Sequence, residues 1–337
     1  MKYDWFIGID ISKATFDVAC CNEVHPEKYI HRKFNNTLSG FGKMEIWLKQ
    51  KGVNFSRTFI GMEHTGIYVL HLCTYLGQKG IAYSLENPLE IKRSIGIQRG
   101  KNDKVDSWRI VDFLFSRRHK LTSKPLPSKT ILEIKNLLAY RERAIKTKVS
   151  LEINIQDMKD TNDLIDNSLL ISMSEQQLNI IKIQLKELNK KLREIVARDE
   201  DMKKNYKLVV SVPGIGLITG LFFLVYTQNF TVFTNGRKFA SYSGVAPFEH
   251  SSGVSIRGKT RVSPLANKKM KALLSNCACT AIQHDSEMKQ YYHRKKKQGK
   301  ERCVALNAVK AKLINRVFSV VKRKSEYLPF NEYRHVA

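Results

Sequence analysis

The segment WFIGIDISKATFDVACC, residues 5–21, gives the first indication of how the chain folds. It reads as an apolar strand, a short polar turn and a second strand rich in β-branched and aromatic residues. Asp10 lies inside the first strand, between Ile9 and Ile11. A buried carboxylate without a partner is protonated rather than ionised, so an acid at this position predicts that its charge is used.

The segments that follow this hairpin alternate between helical and strand patterns. The helical patterns cover residues 35–52, 67–80 and 103–119, and the strand patterns cover residues 57–63 and 81–88. Gly52 and Gly80 close the first two helices, and Pro88 stops the last strand. This alternation predicts an α/β domain over residues 1–120.

A helical region is predicted over residues 121–205, after the proline-bearing joint LTSKPLPSK at residues 121–129. Its second half has apolar residues at alternating steps of three and four, which is the heptad pattern of a coiled coil. These residues are Leu178, Ile181, Leu185, Leu188, Leu192 and Ile195. The pattern fits an intramolecular helical hairpin and an oligomerising arm equally well.

A third, mostly helical domain is predicted over residues 206–337. It opens with VPGIGLITG, residues 212–220, which reads either as a phosphate-holding, helix-hairpin-helix-like turn or as a plain connection between two helices. From Gly236 onward, 22 Lys and Arg stand against 6 Asp and Glu. The run HRKKKQGKER, residues 293–302, is too charged for a core and fits phosphate contacts or a solvated face.

The overall charge indicates a polyanionic partner. The 337 residues carry 58 Lys and Arg against 31 Asp and Glu, a formal charge of +27, and nucleic acid is the first candidate. A membrane is not expected as a partner, because the most apolar run, Leu217–Tyr226, has about half of the ~20 residues that a spanning helix needs. The first residues, MKYDWFIGID, do not resemble a secretory signal, so a cytoplasmic protein is expected.

The six cysteines form no CxxC pair and are expected to be reduced thiols. A zinc site is conceivable from four residues of the third domain, although their spacing fits no standard knuckle. These residues are Cys277, Cys279, His284 and His293.

Three further acids complete a candidate metal site with Asp10. Glu63 ends the strand pattern TFIGME, and Asp103 and Asp106 share one face of the helix that they begin. Carboxylate oxygens are the ligands that Mg²⁺ prefers, and two such ions serve phosphodiester cleavage. Taken alone, the pair Asp103 and Asp106 is also explained as the acidic first turn of a helix.

The motifs GIDISK, GMEHTGIY and KNDKVDSWRI, in this order, resemble the catalytic domain of the DEDD transposases of insertion-sequence family one-ten, relatives of the pilin-inversion recombinases. The resemblance implies an RNase H-like (RuvC-like) domain whose four acids bind Mg²⁺, with a two-metal site expected. These acids map to Asp10, Glu63, Asp103 and Asp106. Asp17 and Asp112 are interpreted as structural.

The same family has a C-terminal transposase domain with a nucleophilic serine. The block RKFASYSGVAPFEHSSGVSIRGKTRVSPLANKKMKALL, residues 237–274, is similar to the corresponding part of the family, and Ser252 is the serine that the resemblance favours. Ser252 precedes a glycine and lies near several basic residues, as a group that attacks phosphorus requires. Ser251 is its rival, and Ser243 lies in an apolar run that is typical of a core.

The resemblance implies a bacterial transposase or site-specific recombinase that exchanges DNA strands through a 5′-phosphoserine link. The implied partners are donor and target DNA, a structured noncoding guide RNA and further copies of the chain, as a homodimer or homotetramer in which the serine of one subunit completes the acidic site of another. Nucleoid association follows from DNA binding. The candidate nucleic-acid contacts are Arg99, Lys101, Lys104, Arg257, Lys259, Arg261, Lys268, Lys269, Arg294, Lys295, Lys296 and Lys297.

Three alternatives remain at this stage. The first is a RuvC-like, metal-dependent nuclease without a covalent serine step, and the second is a non-catalytic nucleic-acid-binding protein. The third is a sugar kinase or actin-like ATPase, whose first strand also carries a GID motif. The third alternative is disfavoured by the +27 charge and by the lack of a second phosphate loop.

Overall fold

The computed structural model describes residues 2–64, 66–94, 96, 103–233, 235–252 and 256–329. For residues 250, 252, 256, 257 and 259 this description covers the backbone alone. The chain divides into two units, residues 1–126 and 127–337. The first is built on a mixed sheet with helices, so the predicted α/β class is confirmed for it, while the division into three domains stays a prediction.

A five-stranded sheet forms the centre of the first unit, in the order β3-β2-β1-β4-β5. Strand β2 runs antiparallel to both of its neighbours, β1 and β3, whereas β4 lies parallel to β1 and β5 lies parallel to β4. The strands are β1 (Trp5–Ile11), β2 (Thr15–Asn22), β3 (Ile30–Asn35), β4 (Thr58–Glu63) and β5 (Ala82–Glu86).

The predicted hairpin of β1 and β2 is present and turns at Ser12. The amide and the hydroxyl of Ser12 both donate to the carbonyl oxygen of Thr15, at 2.9 and 2.8 Å. This turn fixes the register, in which Asp10 lies opposite Asp17 and Trp5 lies opposite Asn22. Alternate side chains of β1 therefore point to opposite faces of the sheet.

Helices cover both faces of this sheet. One face buries Ile7, Ile9 and Ile11 in a core with α1 and α2, and the other buries Phe6 in a core with α4. The helices of this unit are α1 (Leu38–Gln50), α2 (Leu70–Gln78), α3 (Pro88–Ser94) and α4 (Asp103–Ser116). Gly52 and Gly80, the predicted helix ends, have φ of 80° and 67°, which is the left-handed region that glycine adopts easily.

Helix α4 approaches the sheet so closely that only glycine fits beneath it. A Cβ on Gly8 would lie 2.3 Å from the carbonyl oxygen of Ser107 and 2.7 Å from the amide nitrogen of Val111. A Cβ on Gly61 would lie 2.7 Å from both methyl carbons of Leu114. The two glycines of the GID and GME motifs thus let α4 lie directly on β1 and β4.

Two elements of this unit differ from the sequence prediction. Strand β3 was not predicted, because its sequence IHRKFN has one buried residue and an exposed, basic middle. Helix α3 was not predicted: the strand before Pro88 ends as expected, but Pro88 also begins α3, where proline is tolerated because the first helical amide has no intrahelical partner.

The second unit begins with two long helices that pack against each other as an antiparallel hairpin. They are α5 (Lys129–Asp160) and α6 (Ser168–Arg198). Arg141 donates to Asn189 at 3.0 Å and Lys159 pairs with Glu175 at 2.7 Å, which fixes the antiparallel pairing. The heptad stripe therefore packs within an intramolecular hairpin, the first of the two interpretations. Leu178, Leu185 and Leu192 are buried in this hairpin.

Six shorter helices and one small sheet complete the part of the second unit that the structure describes. The helices are α7 (Glu200–Val210), α8 (Leu217–Thr227), α9 (Gly236–Tyr242), α10 (Lys268–His284), α11 (Ser286–Lys297) and α12 (Arg302–Arg323). These helices share one core with the first turns of α5 and the last turns of α6. Gly214, in the turn between α7 and α8, has φ of 90° and touches α10, where its Cβ would lie 2.6 Å from the carbonyl oxygen of Cys277.

The small sheet was not predicted within a mostly helical domain. It is an antiparallel pair of β6 (Pro247–Ser252) and β7 (Ile256–Val262). The sequence PFEHSS of β6 has few β-branched residues and no apolar alternation, so it gives no strand signal. Along the described part of the chain, no helix is both long and apolar enough to cross a membrane.

We expect Gly8→Ala to destabilise the first unit, because the added methyl group meets backbone atoms of α4 that cannot turn aside. Overpacking of this kind costs about 1–3 kcal/mol of unfolding free energy or more. Chemical denaturation of the full chain measures this loss.

Gly42→Ala is the matched control, since a Cβ on Gly42 in α1 meets nothing within 4 Å. It should be neutral or stabilise by up to about 1 kcal/mol through helix propensity. Equal unfolding free energies for the two variants would contradict the close approach of α4.

Candidate active site

A row of charged side chains crosses the sheet at one end. Asp10 lies opposite Asp17, Asp17 lies opposite Lys33, and Glu63 lies opposite Glu86. Because Ile9 is level with Met62 in the parallel pair of β1 and β4, Asp10 comes level with Glu63. From β3 to β5 across the sheet, the row therefore consists of Lys33, Asp17, Asp10, Glu63 and Glu86. It lies on the face that α4 covers.

Helix α4 brings two more acids to this row. Asp103 and Asp106 lie in its first turn, and the same turn is held over β1 by the contact of Ser107 with Gly8. The acids of the row come from strand ends, where side chains of neighbouring strands lie side by side. The four acids predicted from the sequence thus lie at one end of the first unit.

The pKa of Asp10 reports this convergence. Burial, and after it the negative charges of Asp106, Glu63, Asp103 and Asp17, together raise the pKa of Asp10 from 3.8 to about 6. Neighbouring carboxylates raise the pKa of a carboxyl group strongly only where water is partly excluded. Asp10 forms no ion pair or side-chain hydrogen bond with another residue that the structure describes.

Basic side chains hold the outer acids of the group. Lys33 Nζ lies 3.2 Å from both Asp17 and Asp103, and Arg109 donates to Asp106 at 2.7 Å. The imidazole of His31 lies 2.8 Å from the other oxygen of Asp17. Asp17 is 5% exposed and bound on both sides, which agrees with its interpretation as structural.

The donor set fits a divalent cation in chemistry, although the side chains are not gathered as a closed cage. Within the described ranges, no three His, Cys, Asp or Glu side chains are close enough together to share a metal ion. Asp103 is 64% exposed and turned to Lys33, and Asp106 is turned to Arg109. Several carboxylates nevertheless lie near Asp10, which has no partner in the described ranges. A hard cation would neutralise this excess of negative charge.

Two acids of this region were missed or set aside in the sequence interpretation. Glu86 ends strand β5 as Glu63 ends β4, and it is 8% exposed. Glu86 ends a strand pattern in SLENP just as Glu63 does in TFIGME. The sequence therefore contains the same signal for both acids. Asp112 accepts a hydrogen bond from the hydroxyl of Tyr29, which ties α4 to the segment before β3 and agrees with a structural role.

The serine candidates lie in the second unit. Ser251 and Ser252 are the last residues of β6, opposite Arg257 and Ile256 of β7. Ser251 is exposed, whereas the side chain of Ser252 lies outside the described part. Ser243 is fully buried, and its hydroxyl donates to the carbonyl oxygen of Phe239 at 2.8 Å, as expected for a core residue.

The predicted basic contacts fall into three groups. Arg99 and Lys101, and the side chains of Arg257 and Lys259, lie outside the described residues. The exposed residues are Lys104, Arg261, Lys268, Arg294, Lys296 and Lys297. Lys269 forms an ion pair with Glu142 and lies 5.5 Å from the ring centroid of Phe222, and Lys295 donates to Gln298 at 3.2 Å.

The conceivable zinc site is not assembled. Cys277 is buried, and its thiol lies 3.3 Å from the hydroxyl of Thr219. Burial raises the pKa of this thiol, which disfavours the thiolate that zinc requires. Cys277, Cys279, His284 and His293 all lie in the described ranges, where no three-ligand group occurs.

Comparison with known proteins identifies the family. Residues 7–160 match the sequence model of the DEDD transposases of IS110, and residues 206–293 match that of the transposase IS116/IS110/IS902 family. The chain belongs to this transposase family. The predicted recognition, and with it the expectation of a DNA transposase or recombinase, is confirmed.

Full-length relatives agree with this assignment. The chain is 26% identical to the pilin gene-inverting proteins of Moraxella bovis and Moraxella lacunata, over 98% of this chain and 98% of theirs. It is 22% identical to the transposase for insertion sequence element IS1111A of Coxiella burnetii, over 81% of this chain and 79% of that protein. The family's first sequence model begins at Ile7, so it includes the strand that carries Asp10.

We expect Asp10→Asn to stabilise the protein at neutral pH when divalent cations are removed with EDTA. The folded state holds the Asp10 proton more tightly than the unfolded chain, so the free energy of unfolding falls as the pH rises from about 4 to about 6. The asparagine removes this penalty. The full shift corresponds to about 3 kcal/mol at 1.36 kcal/mol per pKa unit, and solvent screening at this partly exposed position reduces it to about 1–2 kcal/mol. Denaturant titrations at pH 4 and pH 7.5 should show the gain at the higher pH alone.

Asp17→Asn provides the opposite control in the same row. It removes partners of His31 and Lys33, so it should lower the free energy of unfolding by about 1–3 kcal/mol at neutral pH. If Asp10→Asn were destabilising in EDTA, the crowding of carboxylates around Asp10 would be refuted.

Proposed function

We propose that the first unit is an RNase H-like (RuvC-like) catalytic unit that binds a divalent cation, Mg²⁺ by preference, at Asp10, Glu63, Asp103 and Asp106. The proposal rests on the position of the first turn of α4, which lies at the adjoining ends of β1 and β4. The family assignment supports it, because the family is named for its four acids. The mixed sheet order and the helices on both faces agree with such a unit.

The bound cation would activate an attacking oxygen and stabilise the leaving oxygen of a phosphodiester. Asp10 and Glu63, fixed on adjacent strands, would provide the rigid half of the ligand set. Asp103 and Asp106 would join it by leaving Lys33 and Arg109, whose ion pairs now hold them.

The second unit supplies the nucleophile in this proposal. The hydroxyl oxygen of Ser252 attacks a DNA phosphorus, its proton passes to a base, and the bond from phosphorus to the 3′-oxygen breaks. The products are a 5′-phosphoserine link and a DNA end with a free 3′-hydroxyl. Attack of a second 3′-hydroxyl on the link reverses the step and joins new strands, so the energy of the broken bond is conserved.

Nucleic acid is the substrate and the guide in this proposal. The charge of +27 supports phosphate contacts, which position a strand without reading its sequence. The last turn of α11 is one such surface, because Arg294, Lys296 and Lys297 are exposed there. We propose donor and target DNA and a structured noncoding RNA as partners.

We further propose a homodimer or homotetramer. The end of the α5–α6 hairpin that lies away from the shared core exposes large apolar side chains, which an isolated hairpin would leave in water. They include Ile153, Leu164, Ile165, Leu169, Leu170 and Met173. Packing against the same surface of a second copy would bury them, in keeping with the second interpretation of the heptad stripe.

A cleavage assay with labelled DNA, Mg²⁺ and the family-type guide RNA tests the proposal. Wild type should form a covalent protein–DNA adduct, and Ser252→Ala should form none, because no hydroxyl remains to attack. Ser251→Ala, a neighbour of the same size and chemistry, should retain the adduct. Glu63→Gln should lose at least about 100-fold in rate, the scale of one lost catalytic group.

The remaining outcomes separate the alternatives. Cleavage by Ser252→Ala without an adduct would indicate a metal-dependent nuclease, and an adduct formed by Ser252→Ala would reassign the nucleophile. Full activity of Glu63→Gln would exclude the acids as the metal site. RNase treatment before the assay should abolish target choice, and its lack of effect would remove the guide RNA from the proposal.

A further inference from the structure

The side chain of Lys310 is buried, and its ammonium group has no partner among the residues that the structure describes. Lys310 lies in the middle of α12 and is 6% exposed. A buried charge is costly unless it is paired, and lysine is rarely buried otherwise. Its burial therefore requires an explanation that the described chain does not itself provide.

The same helix shows how this chain satisfies a buried cation. Arg316, two turns after Lys310, is 9% exposed and pairs with both Asp285 and Glu287 at the start of α11. The charged or titratable groups that act on Lys310 are instead Lys271 and the thiols of Cys279 and Cys303, with no carboxylate among them in the described ranges. Burial and the charge of Lys271 lower the pKa of Lys310.

The two lysines flank the loop that leads into the serine hairpin. Asn307, one turn before Lys310, donates to the carbonyl oxygen of Val245 at 2.6 Å. Gly244 lies against Lys271, whose Cδ would be 3.6 Å from a Cβ at that glycine. Strand β6, which ends in Ser251 and Ser252, begins two residues after Val245.

We propose that Lys310 and Lys271 form an anion site whose occupant is a backbone phosphate of the nucleic acid handled by the β6–β7 hairpin. A phosphate is the complement that two neighbouring ammonium groups lack, and it would offset the desolvation of Lys310. Neither lysine is among the contacts predicted from the sequence. The inference rests on the proposed nucleic-acid function and adds to it a second-unit site at the base of the serine hairpin.

The test combines stability and binding measurements on the full chain. In the free protein, Lys310→Met should raise the thermal midpoint, because an unpaired buried charge is replaced by an apolar side chain of similar length. In fluorescence-anisotropy titrations, the same variant should bind DNA or RNA about tenfold more weakly near 0.1 M salt. The slope of log affinity against log salt should fall by about 0.9 for duplex DNA or about 0.7 for a single strand, the value for one lost phosphate contact.

Separate titrations with duplex DNA and with RNA identify which strand supplies the phosphate. Lys271→Met, at a half-buried position, should weaken binding in the same titrations. Lys310→Arg should retain binding, since the charge remains. Lys322→Met removes one exposed charge from the end of the same helix and should leave the thermal midpoint and the salt slope unchanged.

Two results would overturn the inference while leaving the proposed function intact. One is a lower thermal midpoint for Lys310→Met, which would show that Lys310 has a stabilising partner inside the protein. The other is wild-type affinity and salt slope of both Lys310→Met and Lys271→Met for DNA and for RNA. Failure of the wild type itself to bind nucleic acid would instead refute the proposed function.

Discussion

The close approach of α4 to the sheet is the contact on which the first unit depends. Two glycines, one in each of the central parallel strands, allow the helix to lie directly on the sheet. With side chains at these positions the helix would stand farther away, and its acidic first turn would leave the ends of β1 and β4. The geometry of the acids is therefore set by residues that carry no chemistry.

This arrangement concentrates negative charge in a strongly basic chain. Asp10 lies at the centre of the group with its pKa raised to about 6, while Lys33 and Arg109 neutralise the outer acids and His31 contacts Asp17. Such a group is under electrostatic strain in the absence of a further cation, and it is well suited to receive one. The net positive charge of the chain would attract a polyanion, the substrate of the proposed metal site.

Much of the fold and of the acidic site follows from local sequence patterns. The β1–β2 hairpin, both glycine-terminated helices and the helix that starts at Asp103 have clear periodicity, and an acid in an apolar strand singles out Asp10. The register was not predictable, because the alignment of Asp17, Glu86 and Lys33 with Asp10 depends on which strands are neighbours. Strands β3 and β6 were missed since tertiary pairing overrides their weak propensity. Lys310 was missed because burial of a lysine depends on helix packing and leaves no trace in the sequence.

A crystal structure of the full chain with Mn²⁺, measured at the manganese absorption edge, tests whether the four acids bind a divalent cation. We expect anomalous density between Asp10 and Glu63 and the first turn of α4, with Asp103 and Asp106 turned away from Lys33 and Arg109. Manganese found only elsewhere, with these two ion pairs intact at saturating Mn²⁺, would contradict it.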